Sequence, residues 1–324
     1  MTTGFLVIDK PAGITSHDVV AAVRAVTGVK KVGHTGTLDP FATGVLPLAL
    51  GHSNTRLIQF LDESVKVYDA VVQLGTRMDT GDPTGEVVEQ APVPELNEAH
   101  LLEVLASFVG ERDQVPPRYS AVKVDGRPLY SYARAGQDVK VKARRITVHD
   151  MELLEVEADR FRVRISCSRG TYARVLAEEL GVALGTVGHL CELSRARSGP
   201  FFLEDAVDFE QLATWVAAEN GHDWTQVLLS RGRNAKRVKW QPREKVYEAL
   251  QPHLVPPLKA LAHLPLVDVD SRDARSVRGG TFVPAPPPGV GPGARFLVVH
   301  GPDVVAVIES TTTGPKALKV FPAA

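Results

Sequence analysis

The stretch Gly33-His34-Thr35-Gly36-Thr37-Leu38-Asp39-Pro40-Phe41-Ala42-Thr43-Gly44 places one carboxylate among small hydroxyls and an imidazole. Its three glycines permit backbone conformations that other residues avoid. Pro40 fixes its own φ and pushes Asp39 toward an extended conformation. The segment can thus hold a carboxylate at a defined angle. The same residues also suit a turn-rich connection built on an Asx turn. A phosphate-cradling loop is a third reading, although the Gly-Lys-Ser/Thr ending of such loops is absent.

A second candidate is Ser168-Arg169-Gly170-Thr171-Tyr172-Ala173-Arg174. With Thr171 as N-cap, Tyr172 and Arg174 fall in the first turn of a helix. That is the positive end of the helix dipole, where an arginine is mildly unfavourable. An anionic partner would account for it, and Asp39 or an RNA phosphate would serve. The competing reading is that Arg174 simply extends to solvent. The ten histidines are scattered and the two cysteines, Cys167 and Cys191, lack ligand spacing, so neither a metal nor another cofactor is expected. No nucleophile elbow and no dinucleotide fingerprint occurs. Tyr68, Tyr119, Tyr130 and Tyr132 can stack on bases or fill the core.

The elements that must carry these residues follow from periodicity and punctuation. Gly4 to Asp9 reads as a buried strand. Ser16 can cap a helix to about Thr27, with Gly28 as its stop. Val45 to Leu50 and Tyr68 to Leu74 read as strands, Arg56 to Leu61 and Glu98 to Phe108 as helices. Ser120 to Val124 leads into an Asp125-Gly126 turn, a short helix ending at Gly136, and strands at Val139 to Val156 and Phe161 to Cys167. A helix from Thr171 to Leu180 is closed by Gly181. These elements make residues 1–210 a mixed α+β domain. Residues 211–261 read as a connecting or inserted segment, rich in charge and tryptophan. Residues 262–324 read as a small β-rich domain, with strands at Leu266 to Val269, Phe296 to Val299, Val304 to Ile308 and Ala317 to Phe321.

The chain has 324 residues, 44% of them hydrophobic, which suits a sizeable core in two domains. The apolar run Phe5 to Ile8 is too short for a signal peptide or a membrane span, so a cytoplasmic location is expected. The net charge of -1 is not that of a simple nucleic-acid binder. A local patch is sufficient, however. Arg118, Lys123, Arg127, Arg134, Lys140, Lys142, Arg144 and Arg145 lie close together, opposed there by Asp125 and Asp138.

The Gly33 to Gly44 stretch resembles the catalytic loop of the TruB-type tRNA pseudouridine-55 synthases. Four more stretches agree in order and spacing: Asp9-Lys10-Pro11 with Gly13, Thr15 and Ser16; Lys66-Val67-Tyr68 leading to Gly75; Tyr119-Ser120-Ala121 with Lys123; and Arg169-Gly170-Thr171-Tyr172 with Arg174. Leu193 to Gly199 is a looser match, with Ser194 where the family usually has a basic residue. The resemblance covers residues 4 to about 210. A weaker one links the C-terminal part to PUA-type RNA-binding modules, through Asp273-Ala274-Arg275 and Gly279-Gly280.

The resemblance implies a mixed, largely antiparallel sheet with an RNA-binding cleft. It implies isomerisation of a uridine in the T-arm of tRNA by base flipping, with no metal or cofactor. As catalytic residues, Asp39 corresponds to the essential carboxylate, Tyr68 to the tyrosine that stacks on the flipped base and can remove the C5 proton, and Arg174 to the arginine paired with the carboxylate. Tyr172 and Leu193 correspond to pocket walls, and His34 to a support for flipped-out nucleotides. Lys10 with Pro11 matches a buttressing loop, and Lys123 and Arg169 fall in matched motifs that are expected to bind substrate. A monomer without an obligate protein partner is expected. Two other readings stay open: an RNA-binding or RNA-folding protein with secondary catalysis, and a subunit of a guide-RNA enzyme. The tail Phe321-Pro322-Ala323-Ala324 lacks the basic run expected of the latter.

Overall fold

A computed structural model describes residues 4–62, 64–212 and 243–323. Their main feature is a mixed sheet in an α+β arrangement. Its order is Val207–Asp208, Phe5–Lys10, Thr43–Leu50, Gly188–Ser198, Lys66–Leu74, Arg160–Cys167, Arg144–Val156 and Gly110–Gln114. The Phe5–Lys10 strand runs parallel to Val207–Asp208, and Thr43–Leu50 runs parallel to Gly188–Ser198. The remaining neighbours along this path are antiparallel.

The strand sequences report how many faces are covered. In Phe5-Leu6-Val7-Ile8 every residue is buried. Leu6 and Ile8 pack with the helices Ser16–Thr27 and Ala173–Ala183 in the main core, whereas Phe5 and Val7 pack with Leu297, Val299, Val307 and Phe321 of the C-terminal unit. Thr43–Leu50 divides in the same way, Leu46 and Leu48 to one side and Val45 and Ala49 to the other. A short apolar run is what a strand covered on both faces requires. At the other end of the sheet the pattern alternates. Phe161, Val163 and Ile165 face the core, while Arg160, Arg162 and Arg164 face outward and pair with Glu157, Glu192 and Asp69.

Helix boundaries differ from expectation at both candidate helices. Ser16 is the first helical residue, and Thr15 is the cap, closing a capping box with Asp18. The second helix starts at Ala173 with Tyr172 as its N-cap, and the Thr171 hydroxyl instead donates to the Ser168 carbonyl. This helix runs past Gly181 to Ala183. Gly181 is not a stop: a Cβ there would meet the Gly188 backbone at 2.5 Å, so its role is close helix–strand contact. Two expected strands are shorter than read. Lys123–Val124 alone pairs with Arg127–Pro128, and the long strand begins at Arg144 instead of Val139.

Within the expected 211–261 segment, residues 213–242 lie outside the described residues. The rest packs onto the main sheet: Leu254–Val255 pairs with Phe5 and Leu6, and Val246 and Leu250 join the main core. The C-terminal unit is a four-stranded sheet, Leu266–Asp268, Arg295–His300, Asp303–Thr311 and Gly314–Val320. It also contains a helix that strand patterning missed, Ser271–Arg278, capped by Asp270 and burying Ala274 and Val277.

Gly44 is the tightest point of the sheet. It has φ +97°, and a Cβ there would collide with the Arg195 backbone on the neighbouring strand. Gly44→Ala is therefore expected to destabilise the protein by about 2 kcal/mol or more in urea denaturation. A loss below about 0.5 kcal/mol would show that the sheet centre relaxes freely.

Candidate active site

Asp39 sits in the loop that leads into the amino end of the Thr43–Leu50 strand, and three anchors fix it. The buried Lys10 ammonium donates to the carbonyls of Pro11, Ile14 and Pro40 at 2.8, 2.9 and 3.2 Å. Ser16 Oγ donates to the Leu38 carbonyl and accepts from the Leu38 amide, at 3.2 and 2.9 Å. Gly13 N donates to the Pro40 carbonyl at 2.8 Å, and Asp9 accepts from Gly44 N at 3.1 Å. The Asp9 to Ser16 stretch thus clamps both sides of Asp39. Burial lowers the Lys10 ammonium to about 8, against the pull of nearby Asp39.

Arg195 is the third anchor. It is 1% exposed, at the centre of the sheet, with its Cα opposite Tyr68 on one side and Gly44 on the other. Its guanidinium donates to the Val45 carbonyl at 2.8 Å and the Gly36 carbonyl at 3.1 Å, and its charge acts on the Tyr68 phenol. One cation therefore stands between the loop and the tyrosine. Burial pushes the Tyr68 phenol up, and Arg195 opposes that.

Arg174 meets the carboxylate from the start of its helix. Its Nε lies 2.9 Å from Asp39 Oδ2, an ion-pair contact whose angle is poor for a hydrogen bond, and Nη2 donates to Oδ1 at 3.3 Å. The guanidinium, 4% exposed, is completed by the Thr80 carbonyl at 2.8 Å, the Tyr119 carbonyl at 2.9 Å and Asp82 at 3.6 Å. It does not extend to solvent. Burial raises the Asp39 carboxyl above its ordinary 3.8; Arg174 acts against this, Asp82 adds to it, and Lys10 acts against it. The ion pair thus favours the charged form without overcoming the desolvation.

Asp39, Tyr68 and Arg174 line a cleft of about 460 Å³ that also takes in His34, Thr35, Gly36, Lys66, Ser120, Arg144, Arg169, Tyr172 and Leu193. The structure therefore brings Asp39, Tyr68, Arg174, His34, Tyr172, Leu193 and Arg169 together. Lys10 acts from beneath the loop. Lys123 is exposed on its hairpin strand and does not line the cleft, although Ala121 and Val122 beside it do. The Tyr172 backbone is held by Gln114, whose amide accepts from Tyr172 N at 2.8 Å and donates to its carbonyl at 3.2 Å. His34 stands edge-on to His17 at 5.4 Å. Burial, His17, Arg195 and Lys66 lower it to about 4, so it is neutral at pH 7.

The basic hairpin is partly self-neutralised. Arg118 pairs with Asp138 at 2.8 Å, and Arg145 pairs with Glu111 and Asp113. Arg127 and Arg134 lie over Tyr132 and Tyr130. Sequence reading missed Arg195, Lys66, Asp82 and Gln114 as site residues. Strand parity carries a signal for two of them. Arg195 and Lys66 stand two residues from Leu193 and Tyr68, and so on the same face as known pocket residues.

The sequence comparisons fit this geometry. The TruB family pseudouridylate synthase N-terminal domain matches residues 24–173, and the tRNA pseudouridylate synthase B C-terminal domain matches residues 174–256. The chain is 40% identical over 320 residues to the tRNA pseudouridine synthase B of Geobacter sulfurreducens, covering 95% of this chain and 93% of that one. It is 40% identical over 290 residues to that of Geobacillus kaustophilus, covering 87% and 91%. Among solved structures it resembles a chain of a Cbf5-Nop10-Gar1 complex, with a TM-score of 0.65, 28% identity, and coverage of 98% of this chain and 85% of that one. Fold and cleft together are those of a pseudouridine synthase. More narrowly, the chain belongs to the TruB family of pseudouridylate synthases.

If ionised Asp39 is the working form, kcat/KM must fall on the acid side with a midpoint above the ordinary 3.8. Arg174→Gln removes the cation that opposes the shift and should move the midpoint higher still. A pH–rate profile checks both. A midpoint unchanged by Arg174→Gln would mean that another group limits the acid limb.

Proposed function

We propose that this protein isomerises uridine to pseudouridine at the T-loop position of tRNA corresponding to residue 55. The observation that carries the reading is a half-buried carboxylate, Asp39, ion-paired to the buried Arg174 in a cleft that Tyr68 also lines. The names of the full-length relatives, tRNA pseudouridine synthases, support the same substrate.

The reaction breaks the N-glycosidic bond, turns the uracil and joins C5 to the sugar; C5 loses its proton and N1 takes one up, so the product is an isomer. It needs no net redox change. The base must first leave its stack, at a cost of a few kcal/mol, roughly, that stacking and phosphate contacts repay. Tyr68 and Leu193 offer the apolar walls for the flipped ring, and Tyr172 closes the side. Asp39 then serves as nucleophile at C1′ or at C6, or as base at the 2′ position, and each route starts from the ionised carboxylate. Arg174 positions Asp39 and holds the loops that bear Thr80, Asp82 and Tyr119 around it. His34, neutral, faces the nucleotides beside the target, and Arg169 and Lys123 approach the backbone. Residues 262–324 add an RNA-binding surface of PUA type. The protein acts in the cytoplasm as a monomer without an obligate partner.

The test is pseudouridine mapping of an unmodified tRNA transcript after incubation with the purified protein alone. One new pseudouridine in the T-loop is expected. Asp39→Asn should abolish it while the RNA still binds. Tight binding without product in the wild type would favour the RNA-binding reading, and product that appears only with added protein would favour a partner-dependent enzyme.

A further inference from the structure

The cleft contains a cation that the chemistry above does not use. Lys66 is 7% exposed, lies two residues from Tyr68 on the same strand face, and lines the cleft. Its ammonium lies so near Gly36 that a Cβ there would stand 2.8 Å from Nζ. A larger residue there would push the end of this flexible side chain aside. The two residues before Gly36 each bury a polar atom without a hydrogen-bond partner, His34 Nδ1 and Thr35 Oγ1, and both residues line the cleft. Buried polar groups are rarely left unpaired, so such atoms call for a partner such as a water, an ion or a ligand. Lys66, with His17 and Arg195, also acts electrostatically on His34.

We propose that Lys66, Thr35 and His34 form a phosphate subsite that seats the RNA backbone linkage adjoining the target nucleotide. This deepens the isomerase reading and rests on it. An ammonium, a hydroxyl and an imidazole can all donate to phosphate oxygens, and a desolvated cation binds such a group more strongly than a surface lysine does. The subsite fixes the sugar–phosphate chain on one side of the reacting nucleotide while Tyr68 and Leu193 hold the base. Asp39 then meets a ribose whose position is set from both directions.

The test measures T-arm RNA binding against salt for the wild type, Lys66→Met, Lys66→Arg and Gly36→Ala, with turnover at saturating RNA scored separately. Lys66→Met is expected to weaken binding severalfold and to reduce the slope of log affinity against log salt by about one. Lys66→Arg should keep the slope. Gly36→Ala, which only displaces the ammonium, should reproduce part of the loss without a folding defect. A neutral methylphosphonate placed singly on either side of the target uridine should weaken the wild type at one linkage and cost Lys66→Met nothing further there. Unchanged slopes in both Lys66→Met and Gly36→Ala, or additive losses at both linkages, would overturn the subsite while turnover leaves the isomerase reading standing. A wild type without turnover on this RNA would overturn the isomerase reading, and the subsite with it.

Discussion

The site depends on keeping one carboxylate charged in a place that disfavours charge. Asp39 is half-buried, which disfavours its charge, and its compensation comes mainly from Arg174. Arg174 is itself buried, so it must be satisfied in turn. Its donors and charge are taken up by Asp39, the Thr80 and Tyr119 carbonyls and Asp82. Three chain segments therefore converge on one guanidinium. Removing either member of such a pair costs more than the pair contributes, because the survivor is left buried and unpaired. This constraint explains why an arginine occupies the first turn of a helix, where the dipole alone would reject it.

The sheet exists, in functional terms, to hold the other half of that pair. The Asp39 loop is anchored by Lys10 and Ser16 from below and by Arg195 from the side. Arg195 reaches both the loop and Tyr68 only because Gly44 lets two strands approach closely. Packing on both faces of the Phe5–Lys10 and Thr43–Leu50 strands makes this region stiff. The C-terminal unit, whatever it binds, also forms part of that support, since it buries the outer face of both strands.

Much of this was legible in the sequence because it is local. The Glu98 to Phe108 helix matches its periodicity, and Gly28 ends its helix as read. The buried run at Phe5 to Ile8 is a strand as read. Asp39, Tyr68, Arg174, His34, Tyr172 and Leu193 share one cleft, as the resemblance implied. The misses have physical reasons. Thr15 outcompeted Ser16 as cap because Asp18 could close a box with it. Gly181 looked like a stop but serves close packing. The Thr80 to Asp82 turn and Gln114 come into the site through contacts spanning many residues, which no local pattern encodes. Lys123 sits in a matched motif and is exposed on its hairpin strand, outside the cleft lining.

The most direct test of the account is a structure of the protein bound to T-arm RNA with the target uridine in place. The account predicts the uracil out of its stack against Tyr68 and Leu193, the ribose C1′ facing the Asp39 carboxylate, and the Asp39–Arg174 pair intact. A target base still stacked in the RNA, or seated outside the cleft with Asp39 far from the sugar, would contradict it.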